Sequence, residues 1–279
     1  MVTIDATLRR ALEESGRDLI LTLDPALQGL PETAHGGSVL AVFDALAEAT
    51  GPREVSGTYH RRVPLGVPLA LQRARADSAH TFALSDPSSK NVLVEGRVVL
   101  GANGDAAGNG AASASWLPLP VSRTCFACGT DNDLGLRARL GFDDDTVGGT
   151  WAPRPQFGRA DGSLAPAALT TLLDEAAFWL GALATGEAGM TTRLRVTLHA
   201  QARADSPIVV AGARAAVRPR AGDARYWETA VTARDTDGRL AASAAITFVA
   251  VRGTARRLMA GMLAVNPPEL LRRVFPSYA

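Results

Sequence analysis

Hydrophobic and polar positions divide the chain into two halves with the same order of elements. Each half opens with alternating or apolar runs, at 18–24 in the first half and at 136–142 and 146–152 in the second. A long apolar stretch with helical spacing follows in each, at 36–50 and 166–185. Extended runs rich in Val, Leu, Ile and Thr then predict strands at 55–63, 67–76, 90–100 and 111–117, and at 191–203, 207–218, 225–235 and 240–251. One helix followed by several strands predicts an α+β unit, an antiparallel sheet wrapped on one side around a helix.

Short sequence matches between the halves indicate an internal duplication. "FDALAEA" at 43–49 matches "LDEAAFW" at 173–179, which sets Asp44 against Asp174. "YHRRVPLGVPL" matches "LHAQARADSPI", which sets His60 against His199, and "GAASASWL" at 110–117 matches "LAASAAIT" at 240–247. Because the three matches keep the same order, we predict a repeated unit. The turns before the last strands would be "GANGDAAGNG" and "RDTDGR". The predicted domains are a first unit at 1–120, a second unit at 121–252 and a helical tail at 253–279.

Composition is that of a globular protein: 47% of the 279 residues are hydrophobic and the net charge is +1. This balance predicts neither a nucleic-acid partner nor a membrane partner. No apolar run approaches the ~20 residues that span a bilayer, and "MVTIDATLRRALEESG" predicts an amphipathic helix and not a signal peptide. We therefore expect a cytoplasmic protein. The two cysteines both lie in "CFACG"; because a structural zinc needs four ligands and no second pair exists, we expect no metal and structural or inert thiols. A redox dithiol is the alternative interpretation.

The segment "TAHGGSVLAVFDALAEA" at 33–49 is the first candidate for chemistry. His35, Gly36 and Gly37 directly precede or begin the first long helix, where unpaired N–H groups and the helix dipole can hold a negative charge. Asp44, nine positions after His35, interrupts the apolar run and is a candidate base. A tight turn and a solvated carboxylate are the alternative interpretation of the same residues.

The pattern of strand, H-G-G, apolar helix with an acid nine positions on, and further strands resembles the hotdog fold, and most closely the phenylacetate-type acyl-CoA thioesterases. "CFACGTDNDLGLRARL" at 125–140 and "VPLGVPL" at 63–69 are similar to segments of that family. The resemblance covers roughly residues 15–120 and 122–252. It implies a double hotdog, two antiparallel sheets each wrapped around a long central helix and joined edge to edge as a pseudo-dimer. It also implies acyl-CoA as the small-molecule substrate and no cofactor apart from the CoA of that substrate. The exposed outer sheet faces or edges would pair again, which predicts a homodimer of the tandem chain.

One helix cannot supply both the anion-binding group and the base. Gly36 and Asp44 would lie roughly 12 Å apart along the helix axis, whereas both groups must lie within about 3 to 4 Å of the reacting carbonyl. The resemblance implies sites built between two neighbouring helices. Site one would join the helix start at 35–37 to Asp174, and site two would join the second helix start to Asp44. Alignment places Pro166 where Gly36 stands, and proline has no N–H, so we expect only site one to be active.

The resemblance to thioesterases assigns a role to each candidate residue. The Gly36 N–H, helped by the helix dipole, would stabilise the oxyanion, and Asp174 would act as general base or as nucleophile. Thr191 or Thr192 resembles the family's Ser/Thr that positions water. His35 would orient the helix entrance or touch the pantetheine arm. Glu175 is favoured less than Asp174 as the base, because adjacent helical residues face about 100° apart.

Two other functions remain open from the sequence. Hotdog proteins include hydratases and dehydratases, although neither an Asp-x4-His pair nor an "HFP" segment occurs here. A non-catalytic acyl-CoA sensor or scaffold is the other, because the second site has lost its donor.

Overall fold

The computed structural model describes residues 2–15, 18–101 and 116–278. The α-helices of this part of the chain are α1 (Ile4–Arg10), α2 (Gly36–Ala47), α3 (Pro166–Thr185), α4 (Thr254–Met262) and α5 (Pro268–Val274). The strands of the first unit are β1 (Leu12–Ser15), β2 (Asp18–Thr22), β3 (Arg53–Tyr59), β4 (Pro68–Ala76), β5 (Ala79–Ser85) and β6 (Val92–Leu100). The strands of the second unit are β7 (Leu117–Pro118), β8 (Gly141–Phe142), β9 (Thr146–Trp151), β10 (Gly189–Leu198), β11 (Ile208–Ala213), β12 (Arg218–Arg220), β13 (Asp223–Arg234) and β14 (Leu240–Ala250).

All 14 strands belong to one antiparallel sheet. Its order is β1-β2-β4-β5-β6-β3 through the first unit and β10-β14-β13-β11-β9-β8-β7 through the second, with β12 paired to β13. The two units meet where β3 pairs with β10. Helices α2 and α3 pack against this sheet and against each other. The predicted α+β double hotdog, with its sheets joined edge to edge, is confirmed.

The junction between the units has pseudo-twofold symmetry. Arg193 pairs with Thr58, and Thr197 pairs with Glu54. The number of residues that separates Glu54 from Arg193 also separates Thr58 from Thr197. The same number separates His60 from His199. The strand register therefore agrees with the duplication inferred from the second sequence match.

The third sequence match does not relate equivalent strands. β6 lies beside β3 in the place that β14 takes beside β10, so the partner of 240–247 is in β6 and not at 110–117. Residues 102–115, which contain most of the predicted strand at 111–117, lie outside the described residues. Leu117–Pro118 pairs with β8 of the second unit. The predicted last strand of the first unit at 111–117 therefore lies almost entirely outside the described residues, and the place of a last strand in the sheet is taken by β6.

The first unit contains a strand, β5, that the sequence pattern did not predict. Its side chains alternate, with His80, Phe82 and Leu84 buried. The turn that leads from β5 to β6 is formed by residues 86–91, where the Asp86 carboxylate accepts the N–H of Ser88, a turn conformation that Asp favours. It is this segment, and not "GANGDAAGNG", that corresponds to "RDTDGR". The predicted N-terminal helix is also shorter than expected, because it ends at Arg10 and the chain continues into β1.

Helix α3 is the longest helix of the described chain. Pro166 occupies its first position, which suits a residue without an N–H, and Gly186 ends it with a left-handed backbone at φ 67°. With 20 residues, α3 is long and apolar enough to cross a membrane by length and composition. The expectation that no apolar run approaches that length was wrong. Most of the helix is buried inside the protein, which is the environment of a central helix.

The core joins each helix to its sheet. Phe43 of α2 is fully buried and stacks on Phe82 of β5, with ring centroids 4.9 Å apart. A side chain at Gly96 of β6 would collide with the Phe43 ring, so the helix approaches the sheet closely there. The tail after residue 253 forms α4 and α5, and Phe275 packs on Trp179 of α3. The prediction of helices at the C-terminus agrees with the structure.

We expect Phe43→Ala to destabilise the fold by about 3–5 kcal/mol, because it removes a buried ring and leaves a cavity. Urea unfolding followed by circular dichroism measures this difference. Val67→Ala, at a side chain that is 42% exposed, is the control and should change stability by less than about 0.5 kcal/mol. Equal effects of the two substitutions would contradict the packing described here.

Candidate active site

The start of α2 leaves one backbone N–H free beside a cavity. His35 is the N-cap residue, and its own N–H donates to the Leu27 carbonyl at 2.8 Å. The Gly37 N–H donates to the Asp174 carboxylate of α3. Within residues 2–15, 18–101 and 116–278, no acceptor takes the Gly36 N–H, and Gly36 lines the cavity. A free N–H at a helix N-terminus is suited to bind a negative charge.

Asp174 of α3 lies directly against this helix start. Its side chain is 4% exposed, and its Oδ2 accepts the Gly37 N–H at 2.8 Å. Its Oδ1 accepts the Thr191 hydroxyl at 2.6 Å. A Cβ atom at Gly36 would lie only 2.7 Å from Oδ2. Glycine at this position is therefore required for the carboxylate to approach the helix start.

His35 bridges two carboxylates of α3. Its Nδ1 lies 3.2 Å from Asp174 Oδ2, and its Nε2 lies 3.4 Å from Glu175 Oε2. The other oxygen of Glu175, Oε1, accepts the Trp179 indole N–H at 3.0 Å. Adjacent helical carboxylates thus reach opposite edges of one imidazole ring, which fixes the orientation of the ring.

Burial and hydrogen bonding have opposing effects on the pKa values of Asp174 and His35. Burial acts to raise the pKa of Asp174, but hydrogen bonds from His35, Thr191 and the Gly37 N–H outweigh it and hold the pKa below its usual value. Burial acts to lower the pKa of His35, but its hydrogen bonds to Asp174 and Glu175 raise that pKa well above its usual value. Both shifts favour the charged forms, a carboxylate at Asp174 and an imidazolium at His35.

The two helices are held in contact by further hydrogen bonds. Thr170 of α3 donates its hydroxyl to the Gly37 carbonyl at 2.9 Å, and a Cβ atom at Gly37 would collide with the Thr170 backbone. Tyr59 of β3 donates its hydroxyl to the Gly36 carbonyl at 2.6 Å. Burial, and then the charge of Asp174, raise the Tyr59 pKa well above its usual value, so the phenol keeps its proton. These bonds leave little freedom for the glycines to move.

A cavity of about 580 Å³ opens beside Gly36 and Asp174. Its lining combines apolar and aromatic side chains, four arginines and the two cysteines. Among the lining residues are Phe178, Trp179, Met190, Leu258, Met262, Arg61, Arg62, Arg193, Arg220, Cys125 and Cys128. A larger groove of about 1230 Å³ runs over strands of both units and contains none of the predicted site residues. The smaller cavity is therefore the candidate active site.

The structure brings most of the predicted site residues together. His35, Gly36, Gly37, Asp174 and Thr191 form one cluster. The Thr191 hydroxyl is bonded to the Asp174 carboxylate itself, and not to a position beside it where water would be held. Thr192 lines the same cavity, but its hydroxyl donates to the Thr247 carbonyl at 3.1 Å. Of the two threonines left open by the sequence, Thr191 is the one on Asp174.

Asp44 has a different environment. It is buried, and both of its oxygens accept from Arg53 of β3, Oδ1 from Nε at 2.5 Å and Oδ2 from Nη2 at 2.8 Å. It does not line the candidate cavity. At the matching start of α3, Ala165 makes no side-chain cap bond and Pro166 offers no N–H. Placing Asp44 among the catalytic residues is not supported, because this ion pair occupies both of its oxygens and α3 supplies no donor.

Three features of the site were not predicted from the sequence. Glu175 was set aside by its angle on the helix, yet it reaches His35 across the ring from Asp174. Tyr59 carried no motif. Cys125 lies with His35 and Glu175 in a buried cluster whose ligand-type atoms are all within 4.8 Å of one another. The spacing of the cysteines to each other could not reveal partners that come from distant segments.

Comparisons with solved structures show the same architecture. The chain is similar to a putative thioesterase II from Thermobifida fusca YX (16% identity, 90% of this chain and 98% of that chain, TM-score 0.62). It is also similar to the TesB protein of Mycobacterium avium subspecies paratuberculosis (16%, 88% and 97%, 0.59). The dehydratase domain of RzxB from Pseudomonas fluorescens is a further match (14%, 85% and 96%, 0.53). No family model and no curated protein sequence matches the chain. The chain has the hotdog fold.

We expect Asp44→Ala to destabilise the protein by about 3–5 kcal/mol, because it leaves the buried Arg53 charge unpaired. Replacing both partners, as Asp44→Leu with Arg53→Met, should restore most of that loss. Urea unfolding of the three proteins measures the difference. If the double variant were no more stable than Asp44→Ala, the pair would not be the source of the loss.

Proposed function

We propose that the chain hydrolyses an acyl-CoA thioester at one composite site between α2 and α3. The observation that carries this proposal is the free Gly36 N–H beside the anionic Asp174, both facing one cavity. An N–H at a helix start stabilises an oxyanion, and a carboxylate activates water or attacks the acyl carbon. Neither unit supplies both groups alone.

The atoms of the site support a definite sequence of events. A carboxylate oxygen has two lone pairs, and Oδ1 of Asp174 uses one for Thr191. The other lone pair would take a proton from water as the water oxygen bonds to the thioester carbon. The carbonyl oxygen gains the negative charge and is held by the Gly36 N–H. Collapse of this intermediate breaks the carbon–sulfur bond, and the thiolate leaves with a proton returned from Asp174.

A direct attack by Asp174 remains the second route for the same groups. In that route Oδ1 bonds to the acyl carbon, the thiolate leaves, and water then hydrolyses the acyl-aspartyl anhydride. A single turnover in ¹⁸O-labelled water tests the direct attack: water that attacks the aspartyl carbon of the anhydride leaves its label in the Asp174 carboxylate, and the product acid departs unlabelled with the former Oδ1. The general-base route never labels the protein.

Charge at the cavity favours CoA as the thiol part of the substrate. Arg61, Arg62 and Arg220 line the cavity, and guanidinium groups are suited to bind phosphates. Apolar and aromatic side chains fill the rest of the lining, as an acyl chain requires. A cytoplasmic location, a homodimer of the tandem chain, no nucleic-acid or membrane partner and no cofactor beyond the substrate's CoA remain predictions.

A dehydratase is the second candidate, and the contact of His35 with Asp174 is the observation that favours it. A histidine and an acid in one cavity can remove and return protons. Each ring nitrogen, however, is paired with a carboxylate, so a substrate would have to displace one of these contacts before the ring could exchange a proton with it. A panel of acyl-CoA and 3-hydroxyacyl-CoA substrates separates the candidates: free thiol indicates hydrolysis, and a new double bond indicates dehydration. Binding without turnover would indicate the sensor.

We expect Gly36→Pro and Asp174→Asn each to reduce thioester hydrolysis by at least ~10²–10³-fold, the usual effect of losing an oxyanion donor. Release of free CoA, measured with a thiol reagent, gives the rate. Gly36→Ala should also be damaging, because its methyl group would collide with Asp174 Oδ2. The Asp44→Leu/Arg53→Met variant is the matched control and should keep most of the activity. Equal loss in this control, with the fold intact, would contradict a single site.

Thr191→Val should lower kcat by about 10- to 100-fold, because it removes a hydrogen bond to a charged group, worth about 1.5–3 kcal/mol. Thr192→Val, on the neighbouring residue, should change kcat by less than about threefold, since its hydroxyl bonds to a strand carbonyl. Steady-state kinetics on the preferred acyl-CoA compare them. A larger effect of Thr192→Val would reverse the assignment.

A further inference from the structure

We propose that His35, Cys125 and Glu175 form a binding site for one zinc-type divalent cation. The three residues come from three separate segments: the start of α2, the "CFACG" segment before β8, and the middle of α3. Their ligand-type atoms lie within 4.8 Å of one another, and all three side chains are buried. Imidazole, thiolate and carboxylate are the ligand types that zinc accepts.

The spacing of two ligands already suits an ion. His35 Nε2 and Glu175 Oε2 are 3.4 Å apart. Ligands bonded to zinc at their usual distances in a tetrahedron are separated by roughly 3.4 to 3.7 Å. An ion would take the place of the proton that Nε2 shares with Glu175. Cys125 Sγ completes a face of three ligands, and the Cys125 thiol would release its proton on binding.

Each proposed ligand also has a partner that orients it. His35 Nδ1 lies 3.2 Å from Asp174 Oδ2, which gives the order carboxylate, histidine, metal that is typical of zinc sites. Glu175 Oε1 is held by the Trp179 N–H, so Oε2 is the oxygen that faces the ion. Cys125 Sγ accepts the Ala127 N–H at 3.3 Å. Such partners are what distinguish a built site from a chance cluster.

The segment that carries Cys125 is fixed from both sides. The Phe126 N–H donates to the Gln28 carbonyl at 2.6 Å, and the Ala138 N–H donates to the Ala127 carbonyl at 2.8 Å. Gly129 also returns its N–H to the Cys125 carbonyl at 2.9 Å. The thiol is therefore presented to His35 by a loop that is already ordered by the first unit and by its own chain.

The cavity gives the ion an entry path and a fourth position. His35, Cys125 and Glu175 all line the 580 Å³ cavity. Three protein ligands with one open position are typical of zinc sites that exchange a water or bind a small molecule. Asp174 lies on the Nδ1 side of the ring and the ion would lie on the Nε2 side, so the two groups do not compete for one nitrogen. The proposal is independent of hydrolysis, because a chain without activity could still bind the ion.

Cobalt titration under reducing conditions tests the site. The full chain is stripped with a chelator, reduced, and titrated with Co²⁺ and then Zn²⁺. We expect one ion per chain by elemental analysis, a thiolate-to-cobalt absorption band that zinc abolishes, and a higher Tm with zinc. No band and no bound zinc at one equivalent of protein would overturn the proposal.

Variants identify the ligands. Cys125→Ser should abolish the thiolate band, and Glu175→Gln, which keeps an acceptor for Trp179, should weaken binding by at least about tenfold. Cys128→Ser is the matched control, since this buried thiol lines the cavity but lies outside the three-residue cluster; it should keep the band and bind within about threefold of the parent. Thermal unfolding of the metal-free variants shows that each is folded. If Cys128→Ser removed the band as fully as Cys125→Ser, or if the band survived in Cys125→Ser, the assignment would be wrong.

Discussion

The approach of the Asp174 carboxylate to the start of α2 is the contact on which the site depends. A buried carboxylate is costly unless hydrogen bonds satisfy it. Here the Gly37 N–H and the His35 ring at the start of α2, and the Thr191 hydroxyl of β10, satisfy it from two elements. That arrangement needs two glycines in sequence, because a side chain at Gly36 would strike the carboxylate and one at Gly37 would strike the neighbouring helix backbone. The opening of α2 is thus determined by what lies opposite it.

The same requirement explains why the two units differ. Asp44 and Asp174 occupy matching places on the two central helices, and each is buried. The Asp174 charge is balanced by groups that leave an oxygen lone pair toward a cavity. The Asp44 charge is balanced by Arg53, which binds both oxygens. By the strand register, the residue that matches Arg53 in the second unit is Thr192, beside Thr191. The first unit thus has arginine where the second unit has threonine. This arginine pairs with Asp44 and occupies both of its carboxylate oxygens.

Much of this arrangement could be predicted from the sequence, because it rests on local patterns. The apolar spacing gave both central helices, and the missing N–H of Pro166 indicated which site would lack a donor. The strand β5 was not predicted because its alternating pattern is short and charged arginines precede it. The Gly-rich segment "GANGDAAGNG" was instead interpreted as the turn before a strand at 111–117. Glu175 and Cys125 could not be placed by spacing, since their partner His35 lies in another unit. Contacts between distant segments depend on how two helices and a loop pack together, and no periodicity records that.

The position of His35 connects the helix cap, the proposed base and the proposed cation site. As N-cap it fixes where α2 begins, and its two nitrogens face Asp174 on one side and Glu175 with Cys125 on the other. A charge that binds at Nε2 changes how strongly Nδ1–H binds Asp174, because the two nitrogens belong to one conjugated ring. The carboxylate that would activate water is therefore coupled through a single imidazole to whatever occupies the other side of the cavity. Glu175 and the "CFACG" segment lie on the Nε2 side of His35. They need not touch a substrate to influence Asp174, which would act on it.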